Sequence, residues 1–536
     1  MSGSWTCTWR TLALRVEPGA LGSDARPSLR VGRSVEGLEE GPLAREWIRF
    51  DGFERTPQWH LDPDGCRESG PLDERGDAIA EAFARLEAEL PDLLARAGAE
   101  LDALHDARAA ADSEDWRSLC REAERRLRHR PVALDALDVR QLEQRRSEKW
   151  HTYPRDVLPV WVAEMDFPIA APIQAELRRF VESSDVGYPL SPRETGLPEV
   201  FAERMRERFD WRPDPARVEI LSEVVQGLYL AVDRLTRPGE GVVVQTPIYP
   251  PFLGAVRDTG RRLVENRFVA AADGRGLEPD LDRLARDVDA DTRLLLLCHP
   301  HNPTGRVWRR TELVRLAELA LAHDLVVVSD EIHADLVFDG RGHVPFASLS
   351  PEIAERTITL TSATKAFNIP GLRCAIAHFG SAALQKRFDA GIPRHVRGGL
   401  GLHGMHATIA AWRFGQPWLD EVLAYLEGNR AFVADFLARE IPEIRFRPPE
   451  ATYLAWLDCT ALDVPGSPAA HWLREGRVAL SDGRVFGPGW ERHARLNFAT
   501  SRPILREALE RMARALGRAP DRRREPLGPE PEARSA

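Results

Sequence analysis

The 536-residue sequence predicts an α/β protein: a large, mostly parallel sheet domain, a smaller α+β domain beside it and an N-terminal α+β accessory domain. Three observations carry that prediction. Beyond Leu137, short apolar runs alternate with amphipathic helical stretches, the order of a sheet whose strands are joined by helices. Several of these runs end in polar motifs, as strands do when they deliver side chains to the carboxyl edge of an open sheet. The first 130 residues have neither property and read as a separate module.

From Ser4 to about His60, β-branched residues, tryptophans and Gly/Pro turns predict short strands, as in TCTWRTLALRV and EWIRFDGF. From Asp77 to Ala111, Ile79, Phe83, Leu86, Leu90, Leu94, Ala97, Leu101 and Leu104 recur at steps of three and four, a helical stripe in which Pro91 is a candidate interruption. A second helix is expected over Asp115 to Arg128. Residues 1–130 hold 19 basic and 26 acidic side chains, a balance that repels nucleic acid.

In the α/β part the expected strands are Gly241 to Gln245, Arg293 to Cys298, Leu325 to Ser329, Thr357 to Thr361 and Cys374 to Phe379, with helices between them, such as Arg310 to His323. After Trp418 come a long helix, strands near Tyr453 to Leu457 and Ala494 to Ala499, and a last helix from Pro503 to Leu516. The expected domains are 1–130, an accessory domain, and 135–518, with a large part over about 180–400 and a small part over about 135–175 plus 405–518. Residues 519–536, rich in Pro, Arg and Glu, are expected to be disordered.

Composition narrows the class. Apolar residues at 43%, charged residues at 29% and a net charge of −10 describe an ordinary globular chain. No run of about 18 apolar residues could span a bilayer, and the N-terminus lacks the pattern of a signal peptide, so a cytoplasmic location without membrane or nucleic-acid partners is expected. Six scattered cysteines without a C-x-x-C pair predict neither disulfides nor a zinc site. His299, His301, His403 and His406 have no ligand-type partners at metal spacing, and QWHLDPDG (58–65) reads as a turn, so no metal is expected. Of 73 basic residues only Lys149, Lys365 and Lys386 are lysines. A lysine kept inside a motif of such a chain is informative.

Three strand ends converge. HPHNPTG (299–305), DEIH (330–333) and SATKAFNIPGLR (362–373) each follow an expected strand and bring an amide, a carboxylate and an amine to one edge. With WVAEMDFP (161–168), GYP (187–189), TPIYPPF (246–252), NPTGRVW (302–308), SDEIHADLVF (329–338) and RLNFAT (495–500), they resemble, in order, the fold-type I enzymes dependent on pyridoxal 5′-phosphate (PLP). The match is to the aspartate aminotransferase superfamily, and within it to the cystathionine β-lyase, or C–S lyase, branch of the MalY/PatB type. It runs from about Asp135 to Leu516.

The resemblance implies a role for each candidate. Lys365 would bind PLP and move the proton at the substrate's Cα. Asp330 would face the protonated pyridine nitrogen, Asn302 would bond the ring's O3′, and Tyr249 would stack on the ring. His333 stands where aminotransferases usually carry tyrosine and this branch histidine. Val225 and Gln226, in SEVVQGL at a helix start, would give the phosphate their backbone N–H groups, and Ser362 and Thr364 their hydroxyls. Arg373 aligns with the phosphate-binding arginine of aminotransferases, which many of the lyase branch lack. Tyr188 resembles the tyrosine that reaches a neighbouring subunit's phosphate, which implies a homodimer with shared active sites. Arg495 would clamp the substrate α-carboxylate.

The expected reaction is therefore C–S β-elimination from an L-cysteine S-conjugate or cystathionine-like thioether, giving a thiol, pyruvate and ammonia. Two alternatives stay open: an aminotransferase using the same residues, and a non-catalytic regulator that keeps the fold. Residues 1–130 could receive a carrier or partner protein, present a bulky substrate or cement the dimer.

Overall fold

The computed structural model describes residues 5–9, 12–17, 28–33, 43, 45–51, 53, 57–61, 68–72, 77–97, 99–110, 113–129, 132–189, 191–271, 276–391 and 399–519. Residues 520–536 of the expected tail, Cys66, the end of the 58–65 turn and Ala111 lie outside the described residues. The chain divides into two compact units, one of Met1–Val132 with Ala170–Glu176 and Arg413–Asp420, the other of the remaining residues.

In the first unit six strands, β1 (Trp5–Trp9), β2 (Leu12–Glu17), β3 (Ser28–Arg33), β4 (Arg45–Asp51), β5 (Gln58–Leu61) and β6 (Glu68–Pro71), pair antiparallel in chain order. Leu12, Leu14 and Val16 alternate along β2 and join Phe83, Leu86, Leu90 and Trp116 in one apolar core. Arg15, Glu17, Arg30, Glu46 and Arg49 instead form an ion-pair ladder. The helical stripe breaks elsewhere than expected. It stays helical through Pro91, from Ala78 to Arg96, and resumes at Leu101–Ala110. A proline forfeits one backbone bond, a loss of about 3 kcal/mol, whereas Leu90, Leu93 and Leu94 around it are all buried at about 1.5–3 kcal/mol each. The next helix, Glu114–Arg128, begins on Ser113, whose hydroxyl accepts the Trp116 N–H.

The second unit is built on an eight-stranded sheet. After the short β7 (Leu158–Pro159) come β8 (Val218–Leu221), β9 (Gly241–Thr246), β10 (Arg262–Ala270), β11 (Leu277–Pro279), β12 (Thr292–Cys298), β13 (Val326–Asp330), β14 (Thr357–Thr361) and β15 (Ala375–Phe379). Their order is β11-β10-β9-β12-β13-β14-β15-β8. The run β10-β9-β12-β13-β14 is parallel throughout, and β15 is antiparallel to both neighbours. Both faces are covered, which is why the central strands read as unbroken apolar runs. Val242, Val244, Leu294 and Leu296 pack in one cluster with the Val224–Leu235 helix. Val243, Leu295, Leu297 and Val327 pack in another with the Arg310–Ala322 helix.

A second sheet takes in β16 (Arg445–Phe446), β17 (Leu454–Asp458), β19 (Ser481–Asp482) and β20 (His493–Asn497), in the order β16-β17-β20-β19, while β18 (Val478–Ala479) pairs with β7. Three strands of the eight-stranded sheet escaped the sequence reading, as did the two-residue strands β7, β16, β18 and β19. β8 is four residues long, β10 alternates exposed and buried positions at the sheet's margin, and β11 spans three residues. Among the described residues no helix is long and apolar enough to cross a membrane.

Candidate active site

The parallel strands end at one edge, and the chemistry collects there. Asp330 is the last residue of β13, in register with Cys298 at the end of β12 and Leu360 in β14. Tyr249 follows β9, Asn302 follows β12 and Lys365 follows β14, while Arg495 lies within β20 of the second sheet. Strand alternation sorts the acids of DEIH: Glu331 leaves the site to take hydrogen bonds from the Ser329 hydroxyl and Phe346 N–H and to meet His343 Nε2 at 2.8 Å.

Asp330 is buried, and its Oδ1 accepts the Ile332 N–H at 3.1 Å. Among the described residues no cation stands within ion-pair distance of it. Desolvation therefore pushes its carboxyl up to about 7, against the Ile332 hydrogen bond, with Glu331 adding to the rise and Lys365 opposing it. The Lys365 amine donates to the Ala163 carbonyl at 2.8 Å. Burial, then the Arg495 charge, hold it down to about 8, while Glu164 and Asp330 pull the other way. The site thus keeps an acid and an amine that both titrate near neutrality.

Arg495 is buried, donating from Nη1 to Asn302 Oδ1 at 2.9 Å and from Nη2 to the Trp161 carbonyl and Ser481 hydroxyl. Its Nε finds no acceptor among the described residues, and desolvation lowers the guanidinium to about 10. The Asn302 carbonyl accepts the Tyr249 N–H, tying two candidates together through main chain. Burial, ahead of its charged neighbours, raises the Tyr249 phenol. His333 is buried with Nδ1 unpartnered, and desolvation, aided by Lys365 and Arg495, drives it down to about 3, so the ring is neutral.

The remaining candidates include the start of the Val224–Leu235 helix. Val225 and Gln226 occupy its first turn, where backbone N–H groups lack helix acceptors, and Glu223 gives no side-chain cap. The Gln226 side chain accepts from the Ser222 N–H and hydroxyl. Ser362 donates to the Cys374 carbonyl and meets Thr364 at 2.8 Å. Arg373, at φ 51°, is largely exposed and paired with Glu223. Tyr188 is fully exposed and touches none of the other candidates within its own chain.

Tyr453, read from sequence only as a strand end, was missed: its buried hydroxyl donates to the same Ala163 carbonyl as Lys365, at 3.1 Å. Lys149 was noticed only for its rarity. A separate cavity of about 150 Å³ is lined in part by Arg306, Arg445, Arg447, Glu450, Asp458 and His493. Its arginines are engaged by Glu312, Asp458 and Glu450.

The pattern of aminotransferase class I and II matches residues 215–512. The chain belongs to that family. Within the class I and II aminotransferase family it is 36% identical to the cystathionine beta-lyase PatB of Bacillus subtilis (strain 168), over 67% of this chain and 93% of the relative. It is 35% identical to the cystathionine beta-lyase of Corynebacterium glutamicum, over 71% and 99%. A solved structure, the PLP-bound C-S lyase from Staphylococcus hominis, superposes with a TM-score of 0.65 at 28% identity, covering 72% of this chain and 98% of its own. The α/β unit therefore has the fold-type I architecture, and the N-terminal strands precede it as an extra region.

Proposed function

We propose that the protein is a PLP-dependent C–S β-lyase that converts an L-cysteine S-conjugate or cystathionine-like thioether, with water, to a thiol, pyruvate and ammonia. The observation that carries this reading is the buried Asp330 carboxyl, without a cation among the described residues, at the same sheet edge as an amine held near neutrality. A buried acid of this kind calls for a cationic partner, and a protonated pyridine nitrogen supplies one. The other donors suit PLP as well: the first turn of the Val224–Leu235 helix, with Ser362 and Thr364, for a phosphate, and Asn302 for the ring oxygen.

Bound PLP would supply an electron sink for the charge that develops at the substrate's Cα. Arg495 binds the α-carboxylate, exchanging part of its bond to Asn302. Lys365, neutral above about pH 8, takes the Cα proton. Asp330 would hold a proton on the ring nitrogen, and Tyr249 would pack on the ring. Loss of the β-thiolate then leaves a three-carbon enamine that water converts to pyruvate and ammonia. The relatives named cystathionine beta-lyase, and a neutral His333 after the strand that ends in Asp330, favour elimination over transamination.

Residues 1–130 are read as an accessory domain that could receive a carrier or partner protein, present a bulky substrate or cement the dimer, and residues 135–518 as the catalytic domain. Tyr188 of one protomer would serve the phosphate site of its partner in a homodimer, and the location is cytoplasmic. Incubation with S-alkyl cysteines tests the reaction. Thiol and pyruvate should appear without any keto acid, and Lys365→Ala should release neither. Strict dependence on a keto acid acceptor would make the protein an aminotransferase instead.

A further inference from the structure

Residues 161–167 form neither helix nor strand, yet each of their seven carbonyls accepts a side-chain hydrogen bond. The Trp161 oxygen takes Arg495 and Ser481, Val162 takes Asn497, and Ala163 takes Lys365 and Tyr453. Glu164 takes Lys149 and Asn497, Met165 and Phe167 both take Asn368, and Asp166 takes Arg145. Loop carbonyls ordinarily turn to water. Here a stretch of main chain is an acceptor rail, and two of its donors are the candidate lysine and arginine of the reaction.

The rail is anchored from two sides. Lys149 Nζ lies 2.9 Å from Asp166 Oδ2, both side chains 1% exposed, and the neighbouring Trp150 Nε1 donates to Asp166 Oδ1 at 2.8 Å. An ion pair so buried adds little net stability over an apolar substitute of the same shape, because desolvation offsets the attraction. What it does supply is a fixed geometry. On the other side Asn368, three residues after Lys365, accepts the Met165 N–H and donates to the Met165 and Phe167 carbonyls. It holds φ at 56°, so the loop that carries Lys365 is fastened to the rail.

We propose that Lys149, Asp166 and Asn368 are positioning residues, holding segment 161–167 so that the Ala163 carbonyl meets the Lys365 amine and the Trp161 carbonyl meets Arg495. The inference rests on the proposed roles of Lys365 and Arg495. Its physical content is that the Ala163 oxygen favours the protonated amine, so a displaced rail makes Lys365 lose its proton more easily.

The test is the pH dependence of PLP uptake by the apo-protein, followed by absorbance, with kcat for thiol release measured alongside. Wild-type uptake should rise with a midpoint near 8, where the amine becomes neutral. Asn368→Gly keeps the left-handed backbone, removes the three hydrogen bonds and leaves no buried charge. It should lower the midpoint by about half a pH unit or more and kcat by about tenfold. Lys149→Met should do the same; if it does not fold, Asn368→Gly decides alone. A folded Asn368→Gly protein with an unmoved midpoint overturns the proposal, even if kcat falls, since loosening alone could lower kcat. Failure of the underlying reading would look different: the wild-type protein would show no such midpoint, or Lys365→Ala would take up PLP as before.

Discussion

Lys149 and Lys365 each lie near a buried aspartate, yet only one of these sets is an ion pair. Lys149 and Asp166 meet at 2.9 Å with a third group on the carboxylate, whereas Lys365 turns to a carbonyl and Asp330 meets no cation among the described residues. The contrast separates structure from chemistry. A satisfied pair fixes a loop. An acid and an amine left without counter-ions are pushed toward neutrality, to about 7 and about 8, and are ready to exchange protons with a ligand. The third lysine, Lys386, is exposed on a surface helix.

Swapping each of these two lysines for methionine should separate the two regions most widely. Lys365→Met should cut thiol release on the order of 10³-fold while leaving the apo-protein's Tm level or higher, because no pair is broken. Lys149→Met strands the Asp166 carboxylate and should destabilise by about 3–5 kcal/mol. Urea unfolding of both apo-variants checks this, and equal destabilisation would erase the distinction. Next in size, Asp330→Asn keeps the Ile332 hydrogen bond but cannot hold a proton on a ring nitrogen. It should lower kcat on the order of 10²-fold. Arg495→Lys retains charge without the planar fork, and should raise KM about tenfold or more with a smaller change in kcat.

How much of this was legible in sequence follows from what each feature depends on. Asp330, Asn302 and Lys365 could be placed together because each follows a strand whose apolar run is unmistakable, and parallel strands share a carboxyl edge. β10 was not legible, since its positions alternate at the sheet's margin. Pro91 misled because local propensity carries no knowledge of the buried leucines around it. The Lys149–Asp166 pair could not be foreseen: its partners are 17 positions apart, one in the single-turn helix Glu148–His151 and the other in irregular chain, with no periodicity to align them. The Arg373–Glu223 pair is likewise invisible to any motif, because its members lie 150 positions apart.

The smallest expected effect concerns stability and isolates Asp330. In the unfolded chain this carboxyl titrates near 3.8, in the folded apo-protein near 7. Between those values the folded state holds a proton that the unfolded state has released, so stability falls as pH rises from about 4 to about 7. The full shift corresponds to about 4 kcal/mol at most. His333 acts with the opposite sign: its folded value near 3 lies below the ordinary 6.5, so its contribution grows with pH across that window. Wild type alone would therefore show a muted slope. The difference between wild type and Asp330→Asn cancels the histidine, and the variant's Tm should gain on that of the wild type by a few degrees between pH 4.5 and 7. PLP should close that gap at pH 7, because a cation beside Asp330 brings the carboxylate back toward its ordinary range. A gap unchanged by PLP would mean that Asp330 does not face the cofactor's nitrogen.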